Sequence, residues 1–314
     1  MKENPGDKYR IFAAQVSDLP LFMQPWYLDT VCSGGAWSAA TVESGCRTVA
    51  VMPFFLKKKW GRDYIAMPVL CKFMGPCLLP EFRNPDDEIR LYDALTEQLP
   101  TELAAFEQDM NYGVTNWLPF YWKGFSQTTR YSYIIDLLQR ESDIWERISR
   151  NYRRKIRKAE SVLRVVDNLP TSELKRLVDL SFSRQGLKPP FCAAFLEKYV
   201  RALSENNACK LFFAIDTENN VHSAALLAWD QQSAYYIMSG DDPQLRSSGS
   251  ALLLKWTAVM YAKKTLNLHT FDFEGSMIRA IEAGRRDFGA RQIPYFRIRK
   301  EWSVIWKIGK WLFR

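Results

Sequence analysis

Histidine is scarce in this 314-residue chain, which contains only His222 and His269. A zinc site or a Ser-His-Asp triad would have to use one of these two residues, and the strand-like sequence around each favours a structural histidine instead. The six cysteines include no C-x-x-C pair, which is typical of buried thiols in a reducing compartment rather than of a disulfide framework. We expect no metal cofactor.

Long apolar runs are also absent. No stretch of about 18 uncharged apolar residues occurs, so the sequence predicts no membrane-spanning helix. The N-terminal residues Met1 to Lys8 contain no apolar segment of the signal-peptide type. These two absences lead us to expect a cytoplasmic protein.

Charge is distributed unevenly along the chain. Residues 1–125 contain 12 Lys and Arg and 15 Asp and Glu, a net charge of −3, whereas residues 126–314 contain 31 and 20, a net charge of +11. A basic second half suits an anionic ligand, such as coenzyme A, the acceptor end of a tRNA, a nucleotide-linked substrate or a lipid surface.

One stretch of the second half combines a strand, a turn of small residues and a helix. Residues 233–239 (SAYYIMS) have strand composition, and a breaker cluster follows at 241–245. Arg246 to Ala251 (RSSGSA) then leads directly into a helical segment at 252–262. The first backbone N–H groups of a helix lack partners, and the helix dipole adds positive charge there. The pattern therefore predicts a phosphate-binding turn, with Arg246 as a charged donor.

These six residues fit the pyrophosphate-binding pattern R/Q-x-x-G-x-G/A of the GNAT acyltransferase superfamily. Further segments resemble FemAB-like GNAT proteins, the group that includes the peptidoglycan-bridge aminoacyltransferases: residues 24–31, 153–159 (RRKIRKA), 271–276 (FDFEGS), 288–290 and 294–298. The resemblance implies an α+β fold of two GNAT-like lobes with mixed, mostly antiparallel sheets flanked by helices. We place the lobes at residues 1–129 and 130–298, followed by a basic, Trp-rich terminal helix at 299–314.

A strongly basic helix is predicted from Ser142 to Leu163, where apolar residues recur every three or four positions. Its other face carries seven Arg and Lys side chains between Arg147 and Lys158. Four of these are candidates for binding an anionic donor or substrate: Arg153, Arg154, Arg157 and Lys158. A cationic face that is merely solvated explains the same pattern and stays open as the alternative.

The resemblance also assigns roles to individual residues. Five residues of the turn would hold the donor pyrophosphate, and a tyrosine of the preceding strand would border the acyl group: Arg246, Ser248, Gly249, Ser250, Ala251 and Tyr236. Asp272 and Glu274, two apart at a strand end and hence expected on one face, are candidates for binding the amine or acting as its base. Tyr295 is a candidate acid. Capping of the next helix by Asp272 and Glu274, and core packing of Tyr295, are the structural alternatives.

The predicted function is therefore acyl or aminoacyl transfer from acyl-CoA or aminoacyl-tRNA to an amine on a small molecule or an envelope precursor. A non-catalytic ligand- or membrane-binding protein on the same scaffold is the alternative. Residues 300–314 mix tryptophans with basic residues, so peripheral contact with the inner face of the membrane is a further hypothesis, against packing of this tail on the first lobe. The basic helix lacks interleaved aromatics, so we expect no DNA partner.

Overall fold

The computed structural model describes residues 5–303 and residue 306. The described chain forms two compact units, one comprising the residues up to Arg130 together with those from Pro294 onwards, the other Tyr131–Ile293. The helices are α1 Pro5–Ala13, α2 Pro25–Val31, α3 Pro85–Glu97, α4 Leu118–Trp122, α5 Glu141–Arg147, α6 Arg150–Glu160, α7 Thr171–Ser183, α8 Ala193–Glu205, α9 Ser250–Lys264 and α10 Arg279–Asp287. The strands are β1 Ala36–Ser44, β2 Arg47–Lys59, β3 Arg62–Ala66, β4 Cys77–Leu78, β5 Leu103–Asp109, β6 Ser126–Asp136, β7 Arg164–Val166, β8 Cys209–Ile215, β9 Val221–Trp229, β10 Ser233–Asp241, β11 Thr270–Asp272 and β12 Arg291–Glu301.

In the first unit, the sheet runs in the order β1-β2-β3-β5-β12, and the short β4 pairs with β2. Strand β3 is parallel to β5, and the other pairs described are antiparallel. A buried ion pair fastens β5 to β12, because Arg297 donates from Nε to one Asp109 carboxylate oxygen at 2.5 Å and from a terminal nitrogen to the other at 2.6 Å. Such a two-pronged contact fixes the register of the two strands.

In the second unit, the strand order is β6-β11-β10-β9-β8-β7. Strands β10 and β11 are parallel, and their pairing covers only Ser233 to Tyr235 opposite Thr270 to Asp272. Strand β10 continues to Asp241 on β9 alone, with a bulge between Tyr236 and Met238. Beyond Tyr235 the two parallel strands therefore separate, and this edge of β10 lacks a partner on β11. Helix α9 packs on β8, β9 and β10.

The predicted helix from Ser142 to Leu163 is wrong in its continuity. The structure has two helices, α5 and α6, and the backbone is extended at Ile148 and Ser149. The Ser149 hydroxyl oxygen accepts a hydrogen bond from the Tyr152 amide at 3.4 Å, and the Ser149 amide donates to the Asp287 carbonyl oxygen at 2.8 Å. Ser149 thus caps the start of a new helix. The sequence does not reveal the break between the two helices, because apolar residues keep their spacing of three or four across it.

Most of the predicted terminal helix, residues 299–314, lies outside the described residues. Residues 299–301 are the end of β12. Trp306 is 6% exposed and packs against Tyr64 and Trp60, with ring centroids 4.6 and 5.6 Å apart. Among the described helices, none combines the length and apolar character that crossing a bilayer requires.

Candidate functional site

The predicted phosphate turn has the expected backbone. Arg246–Ser248 form one 3-10 turn, Gly249 has a left-handed φ of +81°, and α9 begins at Ser250. The amides of Ser248 and Gly249 already donate to the carbonyl oxygens of Leu245 and Arg246, at 3.2 and 3.3 Å.

Three other backbone N–H groups of the turn remain open. Those of Arg246, Ser247 and Ala251 find no acceptor in the described part of the chain. They lie in the turn that leads into the 15-residue helix α9, where partial positive charge accumulates. Three amides, rather than the whole turn, are thus available for an anion.

Two of the three serines of the turn, Ser248 and Ser250, face inward, toward β9. The Ser250 hydroxyl is 2.6 Å from that of Ser223, and the Ser248 hydroxyl is 3.0 Å from Nδ1 of His222. Both partners are adjacent residues near the start of β9. These side chains fix the turn to the sheet, and a structural role for His222 is consistent with this contact.

Arg246 follows the end of β10. Its Nε lies 2.5 Å from an Asp241 carboxylate oxygen, and its side chain is 52% exposed. Arg184 approaches the other oxygen of Asp241 at 4.0 Å. The guanidinium of Arg246 is thereby held beside the turn that it precedes in sequence.

Tyr236 is the first residue of β10 beyond the pairing with β11. It is 2% exposed, and its buried hydroxyl has no hydrogen-bond partner among the described residues. Burial raises the pKa of this hydroxyl, so Tyr236 keeps its proton at neutral pH. A buried donor without an acceptor is rare in folded proteins and points to a ligand atom.

Two cationic residues near Tyr236 escaped the sequence analysis. Burial, with a contribution from the positive charge of Arg285, lowers the pKa of Lys255 to about 7. Arg285 lies 5.2 Å over the Phe273 ring, and its buried Nε has no partner among the described residues. Lys255 follows Ala251 by one helical turn, which places both residues on one face of α9. This spacing is the only feature of the sequence that could have identified Lys255 as a residue near the turn.

Asp272 and Glu274 do not share a strand face, so that expectation is wrong. Strand β11 ends at Asp272, and Glu274 has a left-handed φ of +55°. Asp272 is 1% exposed, and its Oδ1 accepts hydrogen bonds from the Ser132 hydroxyl and the Glu274 amide, both at 2.7 Å. Asp272 therefore holds the turn that presents Glu274. A non-glycine residue in this conformation is a recurrent feature of functional sites.

Tyr295 lies in the first unit, whereas the other predicted catalytic residues lie in the second. Its ring is 8% exposed, and Arg130 donates from Nε to its hydroxyl at 3.4 Å. Burial raises the pKa of this hydroxyl.

A cleft of about 730 Å³ lies along α6. Its described lining is almost entirely arginine: Arg150, Asn151, Arg153, Arg154 and Arg157. Lys158 is exposed outside this lining. Helix α6 also packs on the phosphate turn, because a Cβ added at Gly249 would lie 3.0 Å from the Lys155 carbonyl oxygen. The predicted anion-binding residues Arg153, Arg154 and Arg157 are thus on a helix that contacts the turn.

Comparisons with known proteins concern the second unit and the fold of the whole chain. Residues 146–286 match the family model of the acetyltransferase (GNAT) domain, a segment within the second unit that contains the phosphate turn. No curated protein sequence matches the chain significantly.

Solved structures of similar fold cover nearly the whole chain. FemX has a TM-score of 0.70 at 15% identity, over 93% of this chain and 95% of that one. A tandem GNAT protein from the clavulanic acid biosynthesis pathway has a TM-score of 0.57 at 11% identity, over 94% and 93%. L-PGS from Bacillus licheniformis has a TM-score of 0.54 at 11% identity, over 96% and 94%. The chain therefore has the double GNAT-like fold of FemX and the tandem GNAT protein, and its residues 146–286 match the model of an acetyltransferase (GNAT) domain.

Proposed function

We propose that this chain transfers an acyl group from acyl-CoA to an amine, with the donor bound in the second unit. The observation that carries the proposal is the turn before α9, which offers open amides at Ser247 and Ala251 and follows the stretch of β10 that is not paired with β11. A pyrophosphate at these amides would leave the pantetheine arm free to run along the unpaired edge of β10, where a thioester can form strand-type hydrogen bonds.

The chemistry requires a base, a hydrogen-bond donor and close approach of two reactants. In the proposed reaction the acceptor amine loses a proton to the Glu274 carboxylate, directly or through water, and its nitrogen attacks the thioester carbonyl carbon. The Tyr236 hydroxyl donates to the developing oxyanion. Collapse of the intermediate breaks the C–S bond, releases the thiol after protonation and leaves an amide. The acid that protonates the sulfur remains a prediction, with Tyr295 as its candidate.

Asp272 has a different proposed role from Glu274. Its carboxylate is already committed to the Ser132 hydroxyl and the Glu274 amide. It would therefore position the base rather than accept the proton itself. Lys255, with its lowered pKa, is a second group that can exchange a proton near neutral pH.

The arginine cleft on α6 indicates the chemical class of the donor. Its five lining residues include four cations, which suits phosphates, either those of coenzyme A or those of a tRNA acceptor end. We propose an amine on an envelope or lipid precursor as the acceptor, because FemX and L-PGS share this fold over nearly their full lengths. Membrane contact through residues 300–314 remains a separate hypothesis, and Trp306, buried in the first unit, would not contribute to it.

Isothermal titration calorimetry with coenzyme A, pantetheine and a charged tRNA tests the donor. We expect coenzyme A to bind and pantetheine, which lacks the pyrophosphate, to bind at least tenfold more weakly, since a charged contact contributes about 1.5–3 kcal/mol. Acetyl-CoA with a panel of amines should then yield free thiol, detected with a thiol reagent. Binding of charged tRNA but not coenzyme A would identify aminoacyl-tRNA, rather than acyl-CoA, as the donor. Binding of neither would contradict the proposal.

A further inference from the structure

A chain of hydrogen bonds leads from the β8–β9 hairpin to the phosphate turn. Asp216 Oδ2 lies 3.1 Å from Nε2 of His222, and Nδ1 of the same ring lies 3.0 Å from the Ser248 hydroxyl oxygen. That hydroxyl also donates to the Leu245 carbonyl oxygen at 2.8 Å and accepts from the Ser250 amide at 3.4 Å. His222 is 7% exposed, so the ring is enclosed between the hairpin and the turn.

The hairpin holds Asp216 ionised. Its carboxylate accepts hydrogen bonds from the Asn220 side chain and from the amides of Asn220 and Glu218, each at 2.9 Å. The bonds from Asn220 and from His222 keep the pKa of Asp216 far below its usual range. An ionised carboxylate only accepts hydrogen bonds, so Nε2 of His222 must carry a proton.

The second ring nitrogen then has two possible states. When the ring is protonated, Nδ1 donates to Ser248, and the Ser248 proton is free to go to Leu245 or to a bound ligand. When the ring is neutral, Nδ1 is an acceptor and takes the Ser248 proton instead. Protonation of His222 thus decides whether Ser248 can donate away from the ring.

Other charged groups surround this ring on the elements packed against it. The Asp242 amide donates to the His222 carbonyl oxygen at 2.9 Å, and Arg176 of α7 lies 3.6 Å from the Asp242 carboxylate. The charged side chains of these neighbouring elements are Asp216 and Glu218 on the hairpin, Arg164 beside it, Asp241 and Asp242 at the end of β10, Arg246 on the turn, Arg176 on α7, Arg184 directly after α7, Lys155 on α6 and Lys255 on α9.

We propose that His222, oriented by Asp216, is a positioning residue that directs the Ser248 hydroxyl and a positive charge toward the donor phosphates. The inference rests on the proposed binding of the donor at this turn. With the ring protonated, Ser248 can release Leu245 and donate to a phosphate oxygen. Donor binding therefore favours the protonated ring, is accompanied by proton uptake and weakens as the pH rises.

The test is calorimetry of coenzyme A binding between about pH 5.5 and 8.5, the range in which histidine titrates. Measurement in two buffers of different ionisation enthalpy counts the protons taken up on binding. The variants are His222→Gln and Asp216→Asn, and the matched control is His269→Gln, because the chain's other histidine is exposed and outside the turn. Pantetheine is the matched ligand without the pyrophosphate.

The wild type and His269→Gln should bind coenzyme A with proton uptake and weaken about fivefold to tenfold across this pH range. His222→Gln should bind about threefold to tenfold more weakly at the lowest pH. It should take up fewer protons and show a shallower pH profile than the wild type, because only the phosphate monoester of coenzyme A then titrates. Asp216→Asn should bind coenzyme A more weakly than the wild type at neutral pH, because the imidazolium loses its anionic partner. This surface variant also serves if His222→Gln does not fold.

Two results would overturn the inference, and they are distinguishable. If His222→Gln and Asp216→Asn match the wild type in affinity and proton uptake, His222 and Asp216 have no part in donor binding. The proposed donor site itself is then unaffected. If the wild type binds no coenzyme A at any pH, both the proposed donor site and the proposed role of His222 are contradicted.

Discussion

Gly249 lies directly against the backbone of α6, since a Cβ added to it would stand 3.0 Å from the Lys155 carbonyl oxygen. Its φ of +81° is also unfavourable for any residue with a side chain. The phosphate turn and the arginine-bearing helix can approach each other only because this residue is glycine. The arrangement of the proposed donor site therefore depends on one hydrogen atom in place of a side chain.

We expect Gly249→Val to abolish the thermal shift produced by coenzyme A and to lower stability by about 1–3 kcal/mol, through backbone strain and the clash with α6. Gly186→Val is the matched control, because Gly186 has a φ of +68° with no atom within 4 Å of its added Cβ. Gly186→Val introduces the same backbone strain without a steric clash, so this variant should retain the thermal shift produced by coenzyme A. A normal shift in folded Gly249→Val would count against the site.

Glu274 and Asp272 should respond differently to loss of charge. Glu274→Gln should lower kcat by about 10²–10³-fold with little change in Tm, because a general base contributes on that scale. Asp272→Asn should lower Tm as well as activity, because its buried carboxylate holds the Ser132 hydroxyl and the Glu274 amide. Steady-state kinetics and calorimetry on both variants check this. If both variants lowered Tm equally, both residues would have a structural role, and Glu274 would not be supported as the base.

Local sequence patterns predicted the central element of the second unit closely. The strand expected at 233–239 is β10, Ser233–Asp241, and the helix expected at 252–262 is α9, Ser250–Lys264. Composition, a glycine in the turn and the absence of breakers are local signals, so they are visible in one sequence.

Features that depend on distant contacts were not visible. The break at Ser149 is sustained by the Asp287 carbonyl oxygen, 138 positions along the chain. The proximity of Arg285 to Tyr236 and Lys255 depends on three separate elements meeting. The left-handed backbone of Glu274 is followed by a close approach at Gly275, where a Cβ would lie 2.1 Å from the Tyr131 carbonyl oxygen. None of these contacts leaves a periodic trace in the sequence.

Lys255 should make stability depend on pH. Burial lowers its pKa to about 7 in the folded state, against about 10.4 in the unfolded chain. Between these values the unfolded chain binds a proton that the folded chain does not, so stability rises with pH from about 7 to 10. Lys255→Met should remove this rise and raise stability below about pH 9.

Urea denaturation of wild type and Lys255→Met at about pH 6.5, 8 and 9.5 measures the difference. Lys264→Met is the control, because it removes a lysine from the same helix at a side chain that is 57% exposed. Its pH profile should follow that of the wild type. A parallel profile for Lys255→Met would mean that the amine stays charged in the folded protein.

The arginine cleft on α6 should distinguish the two donors. The double variant Arg150→Gln/Arg154→Gln removes two of its cations, and Lys198→Gln/Arg201→Gln removes two exposed cations from α8 as a control of equal charge. Each phosphate that the protein no longer neutralises should reduce the salt slope of RNA binding by about 0.7–0.9. If a charged tRNA is the donor, the slope measured from about 50 to 200 mM salt should fall by about 1.4–1.8 in the cleft variant alone. If coenzyme A is the donor, its affinity should fall severalfold in the cleft variant, whereas any tRNA binding should weaken equally in both, because it then reflects only the overall positive charge.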